Sequence, residues 1–275
     1  MPELPETETI ARDLHAHIRG RRIVTARVTR PDVLRETSAR RFVRGVTDAT
    51  IARCWRRAKL VVIDLSTDEH IVVQPRFTGA LLIDAGNLPL DERRYSTLEL
   101  LLDDGRSLHY RDIRRLGTVA LMSARRFEEY AGGLGVEPLD PAFTDAHLSA
   151  LLGASRQPVK KVLMDQRRVA GIGNIYANEA LWRARIDPSR PAREITAAQA
   201  HRLRASVVDV LRESIAARGT SFRDYRDASG ARGSFVDRLA VYGRAGQPCA
   251  RCGGSLIGTH EIDGRSTVLC ARCQE

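Results

Sequence analysis

The segment TLELLLDDGRSLH, residues 97–109, is the clearest indication of fold in this chain of 275 residues. It predicts a β-hairpin that turns through residues 104–105, because an Asp-Gly pair between two strand-like runs favours a tight turn. Outward from this hairpin, β-branched runs such as residues 61–63 and 71–73 are separated by turn-forming residues. Many short strands between residue 23 and about residue 122 indicate a β-sandwich or a β-barrel.

Residues 5–19, which precede the strands, predict a helix. Pro5 suits the first helical position, and the acidic side chains of the first turn complement the positive end of a helix. Apolar residues recur at every fourth position and a glycine ends the pattern, in the order Ile10, Leu14, Ile18 and Gly20.

The composition changes after the strands. Five glycines and prolines fall within ten residues, which indicates an interdomain linker at residues 132–143. Helical periods follow: residues 144–152 predict a short helix, and Thr196 with Gln199 forms a capping-box pattern at the start of a long one. Residues 219–234 are polar, glycine-rich and basic, and they predict a mobile surface loop.

Four of the five cysteines form two C-x2-C pairs that are seventeen residues apart, Cys249 with Cys252 and Cys270 with Cys273. This spacing fits tetrahedral zinc coordination. A disulfide framework is the alternative, but such frameworks are typical of small secreted chains. We therefore expect one structural zinc ion in the last thirty residues, which are too few to form a core without a metal. Cys54 stands alone in a strand-like run and is expected to be a small buried hydrophobe.

The net charge of the chain is +10, from 44 Lys and Arg against 34 Asp and Glu. This surplus favours a polyanionic partner such as nucleic acid or a membrane surface. The sequence has no run of eighteen apolar residues, and its acidic first residues lack the pattern of a secretory signal. We therefore expect an intracellular protein that does not cross a membrane.

The amino terminus, PELPETE at residues 2–8, contains a candidate nucleophile. We expect Met1 to be removed because Pro2 is small, which would leave a secondary amine at the chain end. An α-amino group has a pKa of about 7.7 to 8, so a useful fraction is neutral and nucleophilic at cellular pH. Glu3 and Glu6 lie nearby and could relay protons. Taken alone, however, this pattern is more often a start site followed by an acidic helix cap.

PELPETE also resembles the amino terminus of the Fpg/Nei family of DNA glycosylases. Further blocks resemble that family in the same order, over nearly the entire chain and closest to its Fpg branch. These blocks are RRAKL at 56–60, RDIRRLG at 111–117, GIGNIYANEAL at 171–181, VYGRAGQPCARC at 241–252 and GRSTVLCARC at 264–273.

The resemblance implies an α+β multidomain fold. An N-terminal catalytic β-sandwich flanked by helices would occupy residues 1–131, followed by the linker at 132–143. A helical domain with a helix–two-turn–helix motif would occupy residues 144–239. A zinc-ribbon-like β-hairpin finger would occupy residues 240–275.

The resemblance also implies the roles of individual residues. The amine of Pro2 would attack C1′ of the sugar, with Glu3 protonating the ring oxygen, Glu6 supporting proton transfers and Lys59 as a further lysine of the catalytic site. Other residues would contact DNA, either at the phosphates around the lesion or as a wedge in the gap left by the extruded base. The residues that would contact phosphates are Lys59, Asn174 and Arg265. The wedge would consist of Phe77, Arg114 and Leu116. The remaining DNA contacts would be Arg115, Lys160 and Tyr242.

The chain departs from the usual Fpg pattern at the wedge. In VVQPRFTGAL, residues 72–81, Phe77 stands where a Met is usual, and Leu116 stands where a Phe is usual. The expected function is excision of oxidised purines such as 8-oxoguanine from damaged double-stranded DNA, followed by strand cleavage. The alternatives are a Nei-like preference for oxidised pyrimidines or a bulkier lesion, and a non-catalytic DNA-binding protein. The enzyme is expected to be a cytoplasmic monomer, associated with the nucleoid if bacterial.

Overall fold

The computed structural model describes residues 2–222 and 224–275. Its contacts divide the chain into two units. The first comprises Met1–Gly132 and Ile215–Val236, and the second comprises Gly133–Ser214 and Asp237–Glu275. Residues 215–236 thus belong to the first unit, whereas the sequence groups them with the helices that precede them. The linear domain bounds drawn from the sequence stay a prediction.

The first unit contains two β-sheets. Its strands are β1 (Ile23–Val28), β2 (Leu34–Arg35), β3 (Ile51–Arg57), β4 (Leu60–Leu65), β5 (Glu69–Gln74), β6 (Gly79–Asp84), β7 (Ser96–Leu102), β8 (Ser107–Asp112) and β9 (Thr118–Ser123). One sheet has the order β1-β7-β8-β6 and the other the order β2-β9-β5-β4-β3. Both sheets contribute to one hydrophobic core, as expected for a sandwich.

The helices of the first unit are α1 (Leu4–Ile18), α2 (Ala39–Val46), α3 (Leu90–Arg93) and α4 (Ala124–Gly132). The predicted helix at residues 5–19 is confirmed in α1, whose Ile10, Leu14 and Ile18 are completely buried in the core. The predicted hairpin is also confirmed. Strands β7 and β8 are paired antiparallel, and Gly105 adopts a φ of 84° in the turn, a conformation that favours glycine.

The second unit is helical with one small hairpin. Its helices are α5 (Asp145–Gly153), α6 (Val159–Met164), α7 (Asn174–Ala184) and α8 (Ala197–Ala216), and its hairpin strands are β10 (Ile257–Thr259) and β11 (Thr267–Leu269). The predicted capping box of α8 is confirmed, because Thr196 N donates to Gln199 Oε1 at 3.0 Å and Gln199 N donates to Thr196 Oγ1 at 3.3 Å.

Two sequence expectations differ from the structure. Residues 39–46 lie in the region with strand-like patterns but form helix α2, which begins where Ser38 Oγ accepts a hydrogen bond from Arg41 N. Residues 219–234 were predicted to be a mobile surface loop, yet Thr220, Tyr225 and Asp227 are buried. Thr220 and Tyr225 form hydrogen bonds to α1, and Asp227 accepts hydrogen bonds from Arg218 and from its own segment.

Of the helices in the described part of the chain, none combines the length and the apolar character that crossing a bilayer requires.

Candidate active site

The start of α1 carries three of the predicted catalytic residues. Pro2, Glu3 and Glu6 are all buried, and Pro5 occupies the first turn of the helix. Glu3 N donates a hydrogen bond to Glu6 Oε2 at 2.8 Å, one half of a capping box at the helix start. The structure therefore brings the two carboxylates together beside the backbone of the proposed nucleophile.

Glu6 also links α1 to a distant part of the chain. Its Oε1 accepts a hydrogen bond from Thr220 N at 2.8 Å, and its backbone oxygen accepts one from the hydroxyl of Tyr225 at 3.4 Å. Burial, together with the charge of Glu6, raises the pKa of Tyr225 far above its usual value, so this hydroxyl stays a donor. Glu6 thus bridges the helix start and the 219–234 segment, an arrangement that sequence patterns did not indicate.

Lys59 lies in the tight turn between β3 and β4 and is buried. The preceding residue, Ala58, adopts a φ of 51°, and its carbonyl accepts a hydrogen bond from Thr7 Oγ1 at 3.5 Å. Arg56 Nε donates to Glu8 Oε2 at 2.9 Å. Because Thr7 and Glu8 belong to the first turns of α1, these contacts hold the Lys59 turn beside the helix start.

The predicted wedge residues are exposed. Phe77 is 47% exposed and Leu116 is 38% exposed, although both would be typical core residues in a β-protein. The guanidinium carbon of Arg114 lies 5.3 Å from the centre of the Phe77 ring, in a cation–π contact. The structure thus brings Phe77 and Arg114 together on two loops, residues 75–78 and residues 113–117, which we call the wedge loops.

A buried carboxylate braces the two wedge loops. Asp112 Oδ1 accepts a hydrogen bond from Thr78 Oγ1, and Asp112 Oδ2 accepts bonds from Gly117 N at 2.8 Å and the Tyr110 hydroxyl at 3.3 Å. The Thr78 hydroxyl also accepts a bond from Arg114 N at 3.0 Å. The network therefore ties Thr78 of one loop to both Arg114 and Gly117 of the other.

Gly117 explains how tightly these groups pack. A Cβ atom at this position would lie 1.9 Å from the Tyr110 hydroxyl and 2.7 Å from the carbonyl oxygen of Gln74. Sequence reasoning missed this network, because Asp112 and Thr78 are 34 residues apart. The sequence feature that could have indicated close packing here is the glycine that ends RDIRRLG at residues 111–117.

In the second unit, the start of α7 contacts the finger hairpin. Asn174 is the first residue of this helix, and its Nδ2 donates to Ser266 O at 2.8 Å. Asn178 Oδ1 accepts a hydrogen bond from Val268 N at 2.8 Å. The side chain of Asn174 is thus a contact to the hairpin rather than a helix cap, because Gly173 occupies the cap position.

Lys160 is completely buried. Its Nζ donates to Thr267 Oγ1 at 2.7 Å and to Ser266 O at 3.1 Å. The structure therefore places this lysine against the finger hairpin, whereas its neighbour Lys161 is exposed. The DNA contact that the resemblance implies for Lys160 stays a prediction, and in this structure its ammonium is bound to the hairpin.

Arg265 lies at the tip of the hairpin between β10 and β11, and its side chain is 54% exposed. A carboxylate oxygen of Asp263 lies 3.8 Å from its Nε. Tyr242 lies on a different loop, which Glu179 holds by accepting hydrogen bonds from Tyr242 N at 2.8 Å and from Val241 N at 2.9 Å. Arg115 forms an ion pair with Asp32 at 3.0 Å.

The four paired cysteines form a cluster that fits one zinc ion. The sulfur atoms of Cys249, Cys252, Cys270 and Cys273 all lie within 4.8 Å of one another, and none is in a disulfide. Four thiolates around a single zinc ion have similar separations, because each Zn–S bond is about 2.3 Å long. The fifth cysteine, Cys54, lies apart, and burial together with the charge of Asp64 raises its pKa to about 12. It therefore behaves as the expected buried hydrophobe.

Three protein families match successive parts of the chain. Residues 1–119 match the formamidopyrimidine-DNA glycosylase N-terminal domain, residues 134–226 match the formamidopyrimidine-DNA glycosylase H2TH domain, and residues 246–275 match the zinc finger found in FPG and IleRS. The finger match and the cysteine cluster together confirm one structural zinc ion.

Individual proteins are similar along the whole chain. The formamidopyrimidine-DNA glycosylase of Moorella thermoacetica is 44% identical over 258 residues, which is 93% of each chain. Fpg (MutM) of Lactococcus lactis, in complex with DNA containing N7-benzyl-Fapy-dG, is 30% identical with a TM-score of 0.91 and full coverage of both chains. The same protein in complex with DNA containing an oxidised pyrimidine is 29% identical with a TM-score of 0.90, again with full coverage of both chains.

These similarities confirm the resemblance to the Fpg/Nei family and the predicted α+β fold with a C-terminal zinc finger. The chain belongs to the formamidopyrimidine-DNA glycosylase family, within its Fpg (MutM) branch.

Proposed function

We propose that this chain is a bifunctional base-excision repair enzyme that removes oxidised purines from duplex DNA and then cleaves the strand, with the amine of Pro2 as its nucleophile. Glycosylase and lyase activity follow from membership of the family. The assignment of Pro2 rests on one observation, the buried pair of Glu3 and Glu6 at the start of α1. Their position provides proton-transfer groups next to an amine that removal of Met1 would free.

The reaction begins when the Pro2 nitrogen attacks C1′ of the lesion nucleotide. The bond between C1′ and the base breaks, and the base leaves with the electron pair and takes up the proton that the Pro2 nitrogen loses. Glu3 protonates the ring oxygen, so the sugar opens and an iminium ion forms between Pro2 and C1′. Transfer of a proton from C2′ to the carboxylate of Glu3 then expels the 3′ phosphate, and a second elimination expels the 5′ phosphate. Water finally hydrolyses the iminium, which frees Pro2 and leaves a gap of one nucleotide.

Glu6 contributes by holding the backbone beside Pro2 in place. Its two carboxylate oxygens accept hydrogen bonds from Glu3 N and Thr220 N, both at 2.8 Å. A carboxylate fixed in this way cannot rotate freely, so the backbone beside Pro2 keeps one orientation during the attack. In this proposal Glu6 is a positioning residue that also supports proton transfers from Glu3.

Extrusion of a stacked base costs a few kcal/mol, and a side-chain wedge offsets that cost. The exposed Phe77, Arg114 and Leu116 are suited to this task, because an exposed apolar cluster on a protein usually marks a contact surface. Lys59, Asn174 and Arg265 are proposed to act on the phosphates that flank the lesion. Such contacts make binding independent of sequence and strongly dependent on salt.

The zinc ion has a structural role. Four cysteine ligands complete its tetrahedral shell and leave no position for a reacting water molecule. When bound, zinc supplies the folding energy of the finger that carries Arg265. No chemical step of the excision passes through it.

A second substrate class also has support. A member of the family from Lactococcus lactis was crystallised with DNA that contains an oxidised pyrimidine. We therefore keep oxidised pyrimidines as the second candidate for this chain. The enzyme is proposed to work as a monomer in the cytoplasm, on the DNA of the nucleoid.

The test is covalent trapping. The tag-free protein is incubated with duplexes that contain 8-oxoguanine, an oxidised pyrimidine or an abasic site, and each reaction is reduced with borohydride. We expect an adduct whose peptide map places the reduced bond on residue 2. The lesion that traps fastest identifies the preferred base. Absence of any adduct would reject the iminium mechanism and favour a protein that binds DNA without catalysis.

A matched control uses the same chain with a short amino-terminal extension that blocks Pro2. This variant should lose trapping but keep salt-sensitive binding to an abasic-site analogue. An adduct on a lysine in the extended variant would instead assign the nucleophile to that lysine. Mass spectrometry of the tag-free protein verifies the removal of Met1 before either experiment.

A further inference from the structure

We propose that a basic groove lined by Arg30, Arg94 and Arg115 binds the phosphate backbone of the undamaged DNA strand, opposite the lesion. This inference rests on the proposed function and extends it to a second strand. None of the roles proposed above involves Arg30 or Arg94. The groove lies in the first unit and has a volume of about 640 Å³.

The groove forms where three strands of one sheet end or begin. Arg30 follows β1, Tyr95 precedes β7, and Asp112 ends β8. Backbone hydrogen bonds tie these segments together, because Arg30 N donates to Thr97 O at 3.2 Å and Asp112 N donates to Tyr95 O at 3.1 Å. The floor of the groove is therefore a hydrogen-bonded sheet end, which is a rigid base for a binding surface.

The charge of the groove is positive. Arg30, Arg94 and Arg115 are exposed, and within residues 2–222 and 224–275 neither Arg30 nor Arg94 forms an ion pair. The Arg94 guanidinium stacks over Tyr95, at 4.6 Å from the ring centre. Among the described residues that line the groove, Asp112 alone has a carboxylate, and this group is 1% exposed and already accepts three hydrogen bonds. An anion that enters the groove thus meets the guanidinium groups of Arg30 and Arg94, whereas Arg115 is shared with the carboxylate of Asp32 at 3.0 Å.

The position of the groove relative to the wedge loops indicates its ligand. Residues 113–117 connect β8 of one sheet to β9 of the other, and Arg115 of this loop lines the groove. The Lys59 turn belongs to the second sheet and packs on the first turns of α1, where Thr7 donates to Ala58 O. The wedge loops therefore cross from the sheet that carries the catalytic lysine to the sheet that ends in the groove.

A wedge that enters a duplex has one strand on each side. In the proposed function the lesion strand lies on the side of Pro2 and Lys59, because its sugar reacts there. The undamaged strand is then left on the side of the groove, next to Arg115. Arginine is suited to this contact, since its planar guanidinium binds phosphate through two hydrogen bonds.

The test compares a duplex with a single strand. The probe is an oligonucleotide with one tetrahydrofuran abasic-site analogue, used alone or annealed to its complement, and binding is measured by fluorescence anisotropy between about 50 and 200 mM salt. For the double variant R30Q/R94Q we expect weaker duplex binding, with the slope of log affinity against log salt smaller by about 1 to 2. Binding to the single strand should be unchanged.

The control is R12Q/R125Q, which removes the same charge from two side chains that are 64% and 89% exposed. It should leave the duplex slope unchanged, and thermal unfolding should show that both double variants are folded. An equal loss on duplex and single strand would overturn the proposal, as would an equal loss in the control or no loss at all. Because the analogue has no base to release, this result stands whether or not borohydride trapping succeeds.

Discussion

The Nζ atom of Lys160 lies 2.7 Å from Thr267 Oγ1, and the lysine side chain is completely buried. A second bond from the same ammonium reaches Ser266 O, which also accepts a hydrogen bond from Asn174. Ser266 follows Arg265 directly in the chain. Lys160 and Asn174 therefore fix the backbone next to Arg265, the residue that contacts DNA in the proposed function.

The variant K160M tests this relationship, because methionine fills similar space but cannot donate hydrogen bonds. We expect weaker binding to a duplex with an abasic-site analogue, since a loosened hairpin holds Arg265 less well. In an R265A background the same change should have little further effect. Double-mutant cycles on coupled residues give about 0.5 to 3 kcal/mol, so the coupling is measurable by titration. Additive losses of affinity would instead assign Lys160 a role separate from that of Arg265. The matched control is K161M, because Lys161 is the exposed neighbour.

Asp112 provides a prediction about the wedge. The variant D112N replaces a carboxylate that accepts three hydrogen bonds with a group that has a single acceptor oxygen. We expect the free energy of unfolding to fall by about 1 to 3 kcal/mol, measured by urea denaturation. Excision of a damaged base should slow more than cleavage at an abasic site, because an abasic site has no base to extrude. Equal slowing of both reactions would contradict a role of Asp112 in the wedge. The control is D32N, which removes only an exposed partner of Arg115.

Asp227 predicts a dependence of stability on pH. Burial raises its pKa, but hydrogen bonds from Ser229, Arg218 and the Ala231 backbone outweigh burial, so the pKa is lowered. A lowered pKa in the folded state stabilises the protein above the unfolded value of about 3.9, and this contribution is lost as the pH falls through the folded value. Wild type should therefore be more stable than D227N at about pH 7, and the difference should shrink below about pH 4.

Urea denaturation of both proteins across this range measures the difference. The control is D91N, because Asp91 is exposed on α3. A gap between wild type and D227N that stays constant with pH would show that the ionised carboxylate of Asp227 does not carry the effect.

Removal of zinc should unfold the finger and weaken DNA binding. Cys249 and Cys270 form a small core with Leu256 and Val268, and Trp182 packs against it. A chelator should therefore shift the fluorescence of Trp182 to longer wavelength, most clearly in a W55F background, which leaves one tryptophan. Duplex affinity should fall at the same time and return on addition of zinc. Unchanged fluorescence and affinity after complete metal removal would contradict the structural role.

Local signals explain which parts of the structure could be predicted. The capping box of α8, the turn at Gly105 and the cysteine spacing each depend on residues close in sequence, and all three are present in the structure. The burial of Lys160 could not be predicted, because only tertiary packing distinguishes it from Lys161 in QPVKKV. The hydrogen bond between Glu6 and Thr220 could not be predicted either, because it also depends on tertiary packing.

This last link also affects how the chain matures. Glu6 and Thr220 are 214 residues apart, so the amino terminus emerges from the ribosome long before Thr220 is synthesised. A contact across such a distance forms late, because a long loop must close first. The nascent chain thus carries its amine through most of translation without the bond that orients the neighbouring carboxylate. In the proposed function, the amine therefore reaches full reactivity toward sugars only after residue 220 has emerged.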